Sequence, residues 1–244
     1  MFTLYGKEIR AFMNSLMGYI VITVFLLVNG LFLWVFEGTG FNILEFGYAN
    51  LDGLFMLAPF VFLFIIPAIT MRSFADERKS GTLELLTTQP LSDTKIILSK
   101  YLAGVSIVII SLIPTLVYLI TVHRLALPVG NVDMGGIWGS YIGLLFLGAS
   151  FAAIGVFSSS VTDNQIIAFL MALLLSGFIY LGFELIYSFD LFGSFDLFIK
   201  SLGMSTHYAS ISRGVVDSRD LIYFLSVITI FILLTKISLE SRKW

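Results

Sequence analysis

The sequence predicts an all-α integral membrane protein with six transmembrane helices, and three observations carry the prediction. Hydrophobic residues fill 58% of the chain and charged residues 12%, against about 45–50% and about 25% in soluble domains. Apolar runs longer than about 18 residues recur from end to end, each able to cross roughly 30 Å of hydrocarbon as a helix. Ionisable side chains are almost absent from the middle of those runs. Residues 1–244 are therefore expected to form a single membrane domain, and a soluble fold is excluded.

The spans are read as Leu16–Phe36, Leu54–Met71, Ile96–Val122, Ile137–Phe157, Ile166–Tyr187 and Leu221–Leu239. The run that forms span one is too long for a signal-peptide core and lacks a small-residue cleavage pattern, so it is expected to be retained. Span three is overlong and contains Pro114, which lacks the N–H a helix needs and predicts a kink. Span six is the weakest, because Lys236 must snorkel towards a headgroup. With six spans, Lys7, Arg10, Arg72, Arg78, Lys79, Lys95, Lys100, Lys236, Arg242 and Lys243 fall on one side, against Arg124, Lys200, Arg213 and Arg219 on the other. The positive-inside rule then places both termini in the cytoplasm and Trp34 and Trp138 in an outer aromatic belt.

Three segments outside the spans are expected to be structured. At the N-terminus Phe2, Tyr5, Ile9, Phe12, Met13 and Leu16 recur at helical spacing with charges on the other faces, predicting an amphipathic helix along the inner headgroups. Between spans five and six, Leu191, Phe195, Phe198 and Leu202 share a helical face and predict a short interfacial or re-entrant helix rather than a plain loop. Between spans two and three, Gly81 and Pro90 isolate a segment TLELLTT that fits two helical turns. Ser92 is placed to cap span three, with Asp93 in its first turn and Leu91 stapled to Ile96.

Several function classes lack their residues. A net charge of −2 and scattered basic residues argue against nucleic acid. No cysteine is present, which removes disulfides and thiolate chemistry. His123 and His207 lie at or beyond the outer span ends, outside any HExxH pattern, and are read as interfacial or loop residues. Ser150 sits in a GxS start without the second glycine of a nucleophile elbow. Small-residue packing explains that region better: Gly139 and Gly143 form GxxxG, and Gly148 and Ala152 repeat the spacing, for close helix contact within the chain or, as the less favoured alternative, between subunits. Glu184, the one carboxylate inside a span, either lines a substrate path or reaches the outer headgroups, the second reading being preferred. No GxxxxGK[ST] occurs, so ATP hydrolysis would need a partner.

The stretch Asp76–Gly104 resembles the signature of ABC-2 type permeases through Glu77, Arg78, Gly81, Thr82, Leu83, Glu84, Leu85, Leu86, Pro90, Leu91 and Ser92. KEIRAFMNSLMGYIVI near the start and HYASISRGVVDSRDLIYFLSVITIFILLT near the end are similar to the gliding-motility-associated, GldF-like permeases of Bacteroidetes. The loop Glu37–Gly53 is too short for the large outer domain that some members carry. The resemblance implies a permease subunit of an ABC exporter in the bacterial inner membrane, paired with a second permease in a homo- or heterodimer and surrounded by lipid. ATP and Mg would sit on a separate P-loop ATPase subunit. It also implies that the N-terminal helix is a connecting helix, that the segment around Glu84 is a coupling helix docking on the ATPase, and that re-entrant helices precede span six. In this reading Leu83, Leu85 and Leu86 anchor the partner, while Glu77, Arg78 and Glu84 fix its register by charge. A membrane scaffold that transports nothing is the alternative, and an intramembrane enzyme is disfavoured by the missing acid, base and metal groups.

Overall fold

The computed structural model describes residues 1–45, 47–82, 92–190 and 193–241, and no strand occurs among them. Among the described residues six helical stretches are long and apolar enough to cross a membrane: Leu16–Trp34, Asp52–Lys79, Asp93–Leu125, Met134–Val161, Gln165–Ser188 and Ser218–Glu240. They coincide with the six expected spans to within a few residues, except that the second continues through a turn into a short basal helix.

The first element, α1 (Phe2–Met13), is the amphipathic N-terminal helix. It does not use the whole expected face. Leu4 is buried and Tyr5, Ile9 and Phe12 are half-buried, but Phe2 and Leu16 are exposed. The stripe that packs is narrower because α1 lies along span three, where the Tyr5 hydroxyl pairs with Ser106 Oγ at 2.7 Å. Ser15 separates α1 from α2 (Leu16–Trp34): its Oγ donates to the Phe12 carbonyl at 2.7 Å and accepts from Gly18 N at 3.2 Å.

Span two comprises α3 (Asp52–Thr70), a turn, and α4 (Ala75–Lys79). Span three is broken where proline demands it: α5 (Asp93–Leu112) and α6 (Leu116–Leu125) flank a 3₁₀ turn at Ile113–Thr115 containing Pro114. Thr115 Oγ1 donates to the Leu112 carbonyl at 2.6 Å and lies 3.1 Å from the Tyr141 hydroxyl, satisfying polar groups at the break. Ser92 occupies the N-cap of α5 with extended backbone, yet its side chain makes no capping bond. Leu91 and most of the TLELLTT segment lie outside the described residues.

The centre of the bundle is α7 (Met134–Val161), which packs against α3, α5 and span five as well as the final helix. Its most apolar window is 78% buried, against 22–28% for spans one, five and six. Small residues make this possible, since they let backbones approach closely enough for dispersion contacts to hold helices together in lipid. Span five begins as α8 (Gln165–Gly177), passes through a π-helical turn at Phe178–Gly182, and ends as α9 (Phe183–Ser188).

Before span six, where the residue pattern predicted one short helix and the family resemblance implied more than one, two α-helices are described, α10 (Asp196–Ser201) and α11 (Met204–Ile211). Phe195 and Phe198 of the expected face are exposed, and Leu191 lies outside the described residues. Span six is α12 (Ser218–Glu240), capped by Asp217. At its far end Leu239 joins Leu4, Phe74, Ile96, Ile97 and Val156 in a small apolar cluster. That cluster brings both ends of the chain to the same end of the bundle.

Candidate functional site

The part of the permease-like signature that is described begins beside that cluster. After α3 the chain turns over the C-terminal end of α7, and Ser159 is the fixing point. Its Oγ donates to the Met71 carbonyl at 2.9 Å and accepts from Phe74 N at 2.9 Å and Ala75 N at 3.0 Å. The first turn of α4 has no intrahelical partners for these N–H groups, so a side chain from another helix supplies one.

Three consecutive residues of α4 then reach three different elements. Asp76 accepts a hydrogen bond from Gln165 Nε2 at the start of α8. The Glu77 Oε1 atom lies 2.8 Å from Lys100 Nζ on α5, and the same ammonium is 3.1 Å from Glu8 Oε1 on α1. Arg78 Nη1 donates to the Ser160 carbonyl at 2.9 Å, at the C-terminal end of α7 where the helix dipole favours a cation. Ser238 of α12 donates to the same carbonyl at 3.2 Å.

Lys100 is the hub. Its side chain is 2% exposed and its Nζ also stands 5.1 Å from the Phe74 ring centroid. A charge so deeply buried is tolerated only with close partners, and here two carboxylates and an aromatic face provide them. Glu77 and Arg78, the charges expected to set the register of a docked partner, each hold one contact within the chain, because α4 lies against the bundle.

Beyond α4, Ser80 Oγ and Thr82 Oγ1 pair at 2.9 Å across Gly81, whose φ of +69° is open to glycine and strained for most other residues. Leu83, Glu84, Leu85, Leu86 and Pro90 lie outside the described residues.

The small-residue row of α7 makes its contacts inside the chain. A side chain at Gly139 would collide with the Ile211 carbonyl and come within 2.9 Å of Gly214 Cα. At Gly143 it would stand 3.0 Å from the Tyr208 ring, and at Gly148 2.7 Å from Val108 Cγ1. Ala152 is fully buried opposite Gly104. The row continues to Gly155, against Thr70, one step beyond where the spacing was followed.

Glu184 is exposed on α9, just past the π turn. His207 is more than a loop residue. Its Nδ1 lies 2.7 Å from Asp220 Oδ1, its Nε2 2.8 Å from the Ser201 carbonyl, and its ring stacks on Tyr223 at 3.9 Å. It thereby ties α10 and α11 to the start of α12. Nearby, the Tyr208 hydroxyl donates to the Phe55 carbonyl at 2.8 Å, and burial pushes that phenol's titration far above its ordinary range.

Lys100, Glu8, Ser159 and Gln165 were not singled out from the sequence as site residues. A signal existed for the first alone, a lysine a full turn inside an otherwise apolar helix.

Six spans around a small-residue central helix, with a charged basal joint, define a polytopic helical membrane protein. The family model described as ABC-2 family transporter protein matches residues 39–235. The chain belongs to this family and is the membrane component of an ABC transporter, a subunit not itself catalytic. Among curated proteins none matches it.

Proposed function

We propose that the chain is one permease half of an exporter, driven by a separate ATPase subunit that carries the P-loop and binds ATP with Mg. The observation that supports this reading most is the mounting of α4. Three of its four charged residues and the turn before it are bonded to α5, α7 and α8, and through Lys100 to Glu8 of α1. A displacement applied to the residues after Thr82 would reach the spans through these bonds, where a loosely attached loop would absorb it.

In this proposal Leu83, Glu84, Leu85, Leu86 and Pro90 are the surface that meets the ATPase, Gly81 and Thr82 form the bend that presents it, and Glu77 and Arg78 belong to the mount. The distribution of basic residues supports an orientation with both termini cytoplasmic in a bacterial inner membrane. Low burial of spans one, five and six leaves flanks for a second permease, identical or different. Glu184 is exposed on one such flank, suited to a path between two subunits or to the outer headgroups. The likeness of both chain ends to the gliding-associated branch supports a role in gliding motility.

The test is co-purification from native membranes in mild detergent, repeated with Glu84→Arg and Leu85→Asp. Recovery of a P-loop subunit with the parent and its loss in both variants is the expected result. Recovery of no ATPase after cross-linking, or equal recovery with both variants, would transfer the chain to a scaffolding role.

A further inference from the structure

A cavity of about 280 Å³ lies beside the basal joint, between α1, the start of α2, the end of span two and α5. One side of it is apolar, formed by Phe12, Met17, Ile69 and Ile107. The other side carries charge of both signs. Lys7 from α1 and Arg72 from the turn after α3 border the cavity, are exposed, and pair with no carboxylate among the described residues. Glu77 borders it too. While its Oε1 holds Lys100, its Oε2 is buried without a hydrogen-bond partner among the described residues. The other acidic side chains of the lining are engaged, Glu8 with Lys100 and Asp76 with Gln165.

The cavity thus offers two uncommitted cations for an anion and an apolar wall, and a turn of the bordering Glu77 side chain would bring its unpartnered, buried oxygen to a donor there. A buried carboxylate oxygen with nothing to accept from is costly, and a ligand N–H is the group that would relieve it. The amphipathic α1 forms one border, and such helices lie at headgroup depth. The surrounding solvent there is itself a supply of zwitterions with apolar tails. We propose that this cavity binds a phospholipid with a primary-amine headgroup of the ethanolamine type. Its phosphate lies between Lys7 and Arg72, its ammonium donates to Glu77 Oε2, and an acyl chain rests along Phe12, Met17, Ile69 and Ile107. The assignment holds for either orientation in the membrane and for a transporter or a scaffold alike.

The choice of amine is chemical. A choline headgroup carries the same charges but no N–H to donate, and a glycerol headgroup brings no cation to the carboxylates that line the cavity. The experiment places the purified full chain in nanodiscs containing equal parts of ethanolamine, choline and glycerol phospholipids with identical acyl chains. Lipid retained after detergent extraction is then counted by native mass spectrometry. The ethanolamine lipid is expected to exceed each of the others by about tenfold, the effect of one charge-assisted hydrogen bond.

Lys7→Ala with Arg72→Ala alters only exposed side chains, so the lipid-free melting temperature should match the parent while retention of all three lipids falls, that of the ethanolamine lipid by about tenfold. Glu77→Gln should erase the preference for ethanolamine over choline. Equal retention of the three lipids, or unchanged retention in the double variant, overturns the proposal. So does a glycerol-lipid preference, which would leave the ammonium without a place. Soluble glycerophosphoethanolamine is the last control. If it raises the melting temperature as far as the whole lipid does, the occupant is a free headgroup-like phosphate and the lipid assignment fails.

Discussion

At the end of the bundle that carries both chain termini, α1, α4, α5 and α7 meet through side chains that bear charge, whereas at the opposite end α7 meets α11 with almost nothing between the backbones. Lys100 reaches both Glu8 and Glu77 across a buried gap. Gly139 lies directly against the Ile211 carbonyl. The first kind of joint is made of long side chains whose ion pairs have definite lengths and directions, so it can be remade in a second arrangement if a partner charge arrives. The second kind is made of shape, and shape admits few alternatives. The adaptable joint sits in the same region as the permease-like signature.

Four substitutions probe the contrast, beginning with the largest effect. Lys100→Met should cost about 3–5 kcal/mol, because it leaves two carboxylates without their cation in a buried site. Thermal melting in detergent reads this, and adding Glu8→Gln and Glu77→Gln together should restore much of the loss. If the triple variant melts no higher than Lys100→Met alone, charge is not what joins this end. Gly139→Val should cost about 1–3 kcal/mol by overpacking, and no compensating change of charge should rescue it. A melting temperature equal to the parent's would show that the opposite end yields after all.

Ser159→Ala sharpens the comparison, since the charged end also depends on a neutral hydroxyl. Losing the acceptor for Phe74 N and Ala75 N should cost about 1–2 kcal/mol. Hydrogen exchange at those two amides should accelerate while amides in the middle of α7 stay protected. Tyr5→Phe should have the smallest effect, about 0.5–1.5 kcal/mol, by removing the bond to Ser106 that holds α1 on span three. Its check is the rate of proteolysis near the N-terminus, which should rise with little change in global melting.

The sequence displayed the spans openly, because an apolar run of sufficient length has few options in a bilayer. The break at Pro114 was equally legible, since a missing N–H acts locally. Gly139 and Gly143 announced a close contact through their spacing, but not the identity of what approaches, which is α11 and the turn after it, some seventy positions away. The basal joint was hidden for a related reason. Glu8, Lys100 and Glu77 belong to three separate elements, and no periodicity within one segment reports a pairing between segments. Each was read from its own surroundings, which suggested solvent for the first, orientation for the second and a partner's surface for the third.

The π turn at Phe178–Gly182 was likewise invisible to a reading that assumes 3.6 residues per turn. Its consequence is a phase shift along span five. One residue is taken up in the wide turn without advancing the helix in the ordinary way, so the part of span five after Gly182 is rotated by about 100° relative to an uninterrupted helix. Glu184 owes its azimuth to this offset rather than to its own chemistry. Deleting a single residue from the turn should re-phase α9 and carry the carboxylate to another side of the span. The direction it faces is therefore set by hydrogen-bond spacing in the backbone one turn below it.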